Sequence, residues 1–405
     1  MLKEYDLKNI TEPLLAWFAG HARVLPWRED PSPYRVWISE IMLQQTRVEA
    51  VKPYFERFVG ALPDAAALAA CGEDRLLKLW EGLGYYNRVR NLQKAARQIM
   101  EEHGGEMPRE AEGLQRLAGI GSYTAGAVAS IAFGQPAPAV DGNVLRVLTR
   151  LAADDTDIMK QSFRREAEAK VTEVLGELAA AGGSSLPVNP CGAFNQALME
   201  LGALVCVPNG EPKCMAAAEA EITEDSCPGR AHFCPLAHLC RAHAAGRETE
   251  FPVKAKAKAR RIEEKTVLVI RDGDRAVLRK RPAKGLLAGM YEFPCAAGHL
   301  DERAALKETE ALGFTPLRIR ALPEAKHIFS HVEWHMTGWM VRVAEVEPGT
   351  ARETSGPDGA AARECLPGGL FLVTREQTER EFPVPAAYAA YLRELQVRVG
   401  PVNQL

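Results

Sequence analysis

The sequence predicts a multidomain chain, all-α in its first part and mixed α and β in its second. Three observations predict it. The chain has 405 residues, and single cores rarely grow much beyond about 250, so two or three domains are expected. From Leu14 to about Arg247 apolar residues recur at helical spacing and strand-like alternation is scarce. Beyond a cationic stretch, Pro252–Arg261, the periodicity switches to two. Hydrophobic content of 47% and charged content of 25% are ordinary for soluble globular chains and argue against disorder, collagen-like repeats or a membrane protein. Fifty Lys plus Arg against 53 Asp plus Glu give a net charge of −3, so no strongly basic field announces a nucleic-acid partner. No run of about 18 apolar residues occurs, and Met1–Asp6 lacks the basic-then-apolar order of a signal peptide. A reducing, aqueous compartment is expected.

Taken in order, the elements carry their own punctuation. Val36, Trp37, Glu40, Ile41 and Gln44 make one stripe of a helix, with Pro33 in its first turn and Asp30 or Ser32 as N-cap. Leu117–Gly126 sets Gly119 and Gly121 around one apolar residue between helical segments. Those glycines permit a hairpin whose N–H groups, with the helix start at Ser122, can approach a phosphate. Gly134 ends the following helix, and Asp141 is positioned to cap the next. Nine cysteines is an odd number, and Cys206, Cys214, Cys227, Cys234 and Cys240 fall in one window, which suggests a local site rather than a disulfide framework. A linker is expected over 251–264. Thr266–Ile270 and Arg275–Leu278 predict a hairpin turning through Arg271–Asp274, followed by a helix over 303–312 and a strand over Val332–Val343. The expected domains are 1–250 and 265–400.

In Pro33–Thr46 and Leu117–Val147 the chain resembles the helix-hairpin-helix DNA glycosylases, in particular the adenine DNA glycosylases. Leu25–Arg28, Gly82–Tyr86 and Phe194–Leu198 extend the resemblance over most of residues 20–240. One departure is Ala118, where that hairpin usually carries proline; losing the φ restraint should loosen the turn slightly. The resemblance implies that Glu40, its acidity reduced by burial, protonates N7 of a flipped adenine, and that Asp141 stabilises the oxocarbenium-like sugar. At its helix start Asp141 should stay ionised, so the two carboxyls should shift in opposite directions. The related glycosylase/lyases attack the sugar with a lysine at the position of Tyr123; a phenol cannot form an imine, so a monofunctional enzyme is expected, with Tyr123 helping to stabilise the intermediate.

The same resemblance places Arg28, Asn143 and Gln196 at the adenine pocket. It makes Gln45, Thr46, Leu83 and Tyr85 the elements pushed into the duplex when the base is extruded, and Gly119, Gly121 and Ser122 further DNA contacts. It implies a 4Fe–4S cluster on Cys206, Cys214, Cys234 and Cys240. The spacing departs from the family pattern before Cys234, leaving Cys227 as the alternative to Cys214; Cys214, preceded by Pro212-Lys213, is favoured. Four thiolates suit iron–sulfur or zinc equally on ligand chemistry; the resemblance selects iron. Gly285–Pro294 and Lys326–His331 resemble the Nudix-like C-terminal domain of the same family, in which Phe329, Ser330 and His331 inspect the lesion base. Arg303–Gly313 lacks the paired Arg-Glu and Glu-Glu positions of Nudix hydrolases, so no nucleotide hydrolysis is expected. The implied partner is double-stranded DNA carrying 8-oxoguanine:adenine or guanine:adenine mispairs, bound by a cytoplasmic, nucleoid-associated monomer with no membrane contact.

Overall fold

A computed structural model describes residues 1–181, 186–208, 210, 212–216, 234–255, 259–346, 351–353 and 363–396. The chain divides into two compact units, Met1–Ala69 with Asn91–Lys256, and Ala70–Arg90 with Ala257–Leu405.

The first unit is helical, as its apolar spacing predicts. Ser32 caps the Pro33–Leu43 helix, its side chain accepting from the Arg35 N–H, and Pro33 occupies the first turn where its missing N–H costs nothing. That helix buries every residue from Val36 to Met42, Glu40 included. It stops at Leu43, so Gln44 caps the helix instead of extending its apolar stripe. The Ser122–Phe133 helix ends at Gly134 in a left-handed conformation, and Asp141 caps the Gly142–Ala152 helix. Gly126 makes the join possible: a Cβ there would stand 1.9 Å from the Pro138 carbonyl oxygen, so only glycine lets the segment leading to Asp141 lie against this helix. The Pro190–Leu204 helix completes the arrangement, with Phe194, Ala197, Leu198 and Leu201 in a core shared with Val144, Leu145 and Leu148.

The second unit is built on a sheet. Its strands are β1 (Arg261–Asp272), β2 (Arg275–Lys280), β3 (Tyr291–Glu292), β4 (Cys295–Ala297), β5 (Pro316–Ile328), β6 (Val332–Val343), β7 (Ala351–Glu353), β8 (Arg363–Leu366) and β9 (Leu370–Val373). They run in the order β5-β6-β1-β2-β9-β8-β7, with β3 on β2 and β4 on β1. Val267 and Val269 face one core with Trp334, and Leu268 and Ile270 face another with Val341, which explains why β1 reads as a continuous apolar run. The Glu302–Ala311 helix and the third predicted strand stand where the sequence put them. Two expectations change. The β1–β2 turn is tighter than Arg271–Asp274: Asp272 pairs with Arg275, leaving Gly273 at φ +59° and Asp274 as the loop. The linker is also shorter, because β1 begins at Arg261, paired with Val332 of β6. Backbone pairing makes that stretch a strand while its charged side chains stay largely in solvent, so no apolar alternation marked it.

Residues Ala70–Arg90, read from the sequence as part of the first domain, group with the second unit. Polar bonds between residues far apart in sequence account for it. Asp74 accepts from Lys280 Nζ and Tyr291 Oη, Lys78 Nζ donates to the Thr378 carbonyl, and Glu81 accepts from the Val384 N–H. Among the described residues no helix is long and apolar enough to cross a membrane.

Candidate active site

Three helices of the first unit bring Glu40, Tyr123 and Asp141 to one cleft. Glu40 is 6% exposed and Tyr123 Oη donates to its Oε2 at 2.5 Å. Burial pushes the Glu40 carboxyl up to about 7; the Tyr123 bond opposes the shift, Asp141 adds to it, and Arg28 opposes it. Tyr123 itself is held well above its ordinary value, first by burial and then by the neighbouring carboxylates, so it remains a neutral donor. Asp141 Oδ1 accepts from the Val144 N–H at 2.8 Å and its Oδ2 from Asn143 Nδ2 at 2.7 Å. The expectation of opposite shifts is corrected here. Asp141 also lies above its ordinary value, because burial outweighs the bonds from Val144 and Asn143 and the charge of Arg146.

Asn143 does not stand free in the pocket. Its Oδ1 accepts from Arg146 Nη2 at 2.9 Å, and Arg146 Nε donates to the Cys206 carbonyl at 2.8 Å. A hydrogen-bonded chain therefore joins Asp141 to the cysteine segment. There Cys206, Cys214, Cys234 and Cys240 line one enclosed space with Arg150, His243 and Glu248. All four cysteines are free. Burial, with contributions from neighbouring thiolates, pushes Cys214 to about 11 and Cys234 to about 12, and also raises Cys240. Arg150 Nη1 donates to Cys206 Sγ at 3.2 Å, while Cys240 Sγ donates to the Arg150 carbonyl. Four convergent thiols, three of them held back from ionising by burial, fit a bound metal centre, whose positive charge would favour the thiolates. The ligand atoms of Cys214, His243 and Glu248 also lie within 4.8 Å of one another. Cys227, the alternative ligand, lies outside the described residues.

A family model described as HhH-GPD superfamily base excision DNA repair protein matches residues 38–173, and a NUDIX domain model matches residues 266–394. The adenine DNA glycosylase of Rattus norvegicus is 36% identical over 390 residues, covering 81% of this chain and 69% of that protein. That of Buchnera aphidicola subsp. Schizaphis graminum is 31% identical over 336 residues, covering 82% of this chain and 87% of that protein. This chain belongs to the adenine DNA glycosylase family. The human member is 37% identical over 362 residues, and there the chain spans 64% of the relative's length. The fold expected from the sequence, a helical glycosylase unit and a Nudix-like unit, is the fold of this family member.

Among the sequence-predicted residues, Arg28, Gln45, Thr46, Gly121, Ser122, Asn143 and Gln196 line the same cleft as Glu40, Tyr123 and Asp141. Gln45 is exposed at φ +58°, a backbone conformation that a residue with a Cβ rarely adopts. Gly119 is outside the cleft lining, at φ +77° in the hairpin turn. Ala118 makes a bond of its own in the hairpin. Its N–H, which proline lacks, donates to Gln98 Oε1 at 2.8 Å, so a new bond tethers the turn where the φ restraint is gone. Leu83 and Tyr85 belong to the second unit; Leu83 is 7% exposed and packed, whereas Tyr85 is 47% exposed at φ +48° and presents its ring. Phe329, Ser330 and His331 form the turn between β5 and β6, with the Phe329 N–H donating to the Val332 carbonyl. Phe329 packs edge-on to His327 and Trp334, leaving Ser330 and His331 as the exposed tip. Tyr85, Phe329, Ser330 and His331 line one cavity of that unit. The sequence marked neither Met199 nor Glu200, which line this cleft beside Arg23. Their available signal was helical spacing: Glu200 stands four residues after Gln196 on one helix.

Proposed function

We propose that this chain is a monofunctional DNA glycosylase that excises adenine mispaired with 8-oxoguanine or guanine in base excision repair. The observation that carries the reading is the Tyr123–Glu40 hydrogen bond beside Asp141: an acid titrating near neutrality, a phenol where a lyase needs an amine, and a second carboxyl share one cleft. Glu40 gives its proton to N7 of the extruded adenine, and the electron pair of the N-glycosidic bond leaves with the base. Asp141 faces the positive charge that develops on the sugar. Water adds to C1′, its proton passing to the Glu40 carboxylate, and an abasic site remains. Tyr123 keeps the Glu40 carboxylate stable enough to let its proton go. Gln45 and Thr46 fill the gap in the stack, while Gly121 and Ser122 hold phosphate at a helix start. The enzyme acts as a monomer on duplex DNA.

The test is single-turnover incubation with an 8-oxoguanine:adenine duplex and a thymine-glycol duplex, each with and without alkali. Adenine release with strand breakage only after alkali is expected. Breakage without alkali would overturn the monofunctional assignment, and no adenine release would overturn the activity.

The lesion base is read by the Ser330 hydroxyl at the exposed turn, with Phe329 and His331 shaping its surroundings. Ser330→Ala is expected to reduce the preference for 8-oxoguanine over guanine opposite adenine by about fivefold, the scale of one lost hydrogen bond. An unchanged ratio would reject Ser330 as the reader.

Cys206, Cys214, Cys234 and Cys240 would hold a 4Fe–4S cluster, which supplies a rigid four-point tie for this segment. Through Arg146, the Cys206 backbone also helps to fix Asn143 against Asp141. Iron content should fall by more than half in Cys214→Ser and stay unchanged in Cys227→Ser; full retention in the first variant would transfer the role to Cys227.

A further inference from the structure

The catalytic cleft contains a buried polar cluster that the proposed chemistry does not use. Glu200 is 1% exposed. Its Oε1 accepts from the Arg23 backbone N–H at 3.0 Å and Arg23 Nε at 2.7 Å, and its Oε2 from Arg23 Nη2 at 2.8 Å and Arg28 Nη2 at 3.1 Å. These bonds hold its carboxyl down at about 2 despite burial, so it is an anion throughout the working range. Arg28 is fixed on every side: Nη2 to Glu200, Nη1 to the Arg23 carbonyl at 3.1 Å, and Nε to Gln196 Oε1 at 3.0 Å.

The last of these bonds has a chemical consequence. An arginine guanidinium only donates, so the Gln196 amide must turn its oxygen toward Arg28. Its NH₂ group is then the end left for the cleft, where Gln196 is among the lining residues. A side-chain amide can ordinarily flip and serve as donor or acceptor. Here a chain of fixed charges removes that choice.

We propose that Glu200 is a positioning residue for base selectivity: by anchoring Arg28 it locks Gln196 as a hydrogen-bond donor, selecting a base that offers a ring-nitrogen acceptor. Adenine offers an acceptor at N1 once N7 is engaged by Glu40. Hypoxanthine carries N1–H at the same place and would set donor against donor, a mismatch that leaves buried polar groups unpaired. This inference rests on the adenine-excision reading.

The experiment is single-turnover excision of adenine and of hypoxanthine, each opposite 8-oxoguanine, by wild type, Glu200→Gln and Gln196→Glu. Wild type is expected to favour adenine strongly. In Glu200→Gln the loosened Arg28 frees the Gln196 amide to flip, and the adenine-to-hypoxanthine rate ratio should fall about tenfold or more. In Gln196→Glu, whose ionised side chain only accepts, the ratio should fall further or invert. A purely structural role for Glu200 would lower both rates together and leave the ratio intact, and that result overturns the proposal. If Glu200→Gln does not fold, an unchanged ratio in Gln196→Glu overturns it instead. If wild type releases no adenine, the underlying reading fails; if it releases adenine and the ratios hold in both variants, only the relay fails.

Discussion

Replacing Glu40 by glutamine is expected to lower the single-turnover rate of adenine release by about 10² to 10⁴, the range a positioned general acid supplies. Glutamine keeps the size of the side chain and can still accept from Tyr123 Oη, so the loss isolates the proton. A rate within tenfold of wild type would remove Glu40 from the acid role. The pH profile gives a second measure. Burial pushes Glu40 up to about 7; if it acts as the acid, only its protonated form works, so above that pH the wild-type rate should fall about tenfold per unit. Tyr123→Phe removes the bond that opposes the shift and should move this limb to higher pH.

Stability should respond in a linked way. The folded-state value lies above the ordinary 4.5, so folding takes up a proton between those two values. The stabilising contribution is full below about 4.5 and is lost as pH rises through about 7. Above pH 7 the protein carries a buried charge that Glu40→Gln does not. The variant should therefore melt higher than wild type at pH 8, with the gap closing at pH 5; a gap that grows toward acid would contradict the burial argument. A carboxyl held against its solvation preference costs stability, and its removal returns it.

The second large effect is expected at Asp141. Asparagine caps helices about as well as aspartate, so Asp141→Asn should keep the Gly142–Ala152 helix and lose the negative charge. If that charge faces the developing sugar cation, the rate should fall by about 10² to 10³. A variant melting within a few degrees of wild type, with more than a tenth of its activity, would reduce Asp141 to a capping residue. Because Asp141 is also raised, its protonation should limit the acid side of the profile. The result is a bell whose two apparent values belong to the Glu40–Asp141 pair as a unit.

Local features of this site were legible because they are written in neighbouring residues. Ser32-Pro33 announced a helix start, Gly134 a helix end and Asp141 a cap, and each does that work in the fold. The motif segments also named residues that the fold brings together, since Glu40, Tyr123 and Asp141 line one cleft. The direction of Asp141's shift was not legible. Its capping bonds are local and visible, whereas the burial that outweighs them comes from helices elsewhere in the chain. Glu200 escaped for a similar reason, since a glutamate on an apolar helix has no visible purpose until Arg23 and Arg28 arrive from residues more than 170 positions away. The first strand of the sheet escaped in part, because Arg261–Lys265 shows no alternation and is held by its pairing with β6.

By itself, then, the sequence determined which chemical groups are present, where helices begin and end, and the family whose motifs it carries. Only the tertiary structure decided how those groups behave. It set Glu40 near neutrality, kept Tyr123 a donor, turned the Gln196 amide and grouped Ala70–Arg90 with the sheet unit. The physical reason is that capping and helical periodicity act over a few residues of chain, while desolvation and Coulomb interactions act through space between residues the chain order does not make neighbours.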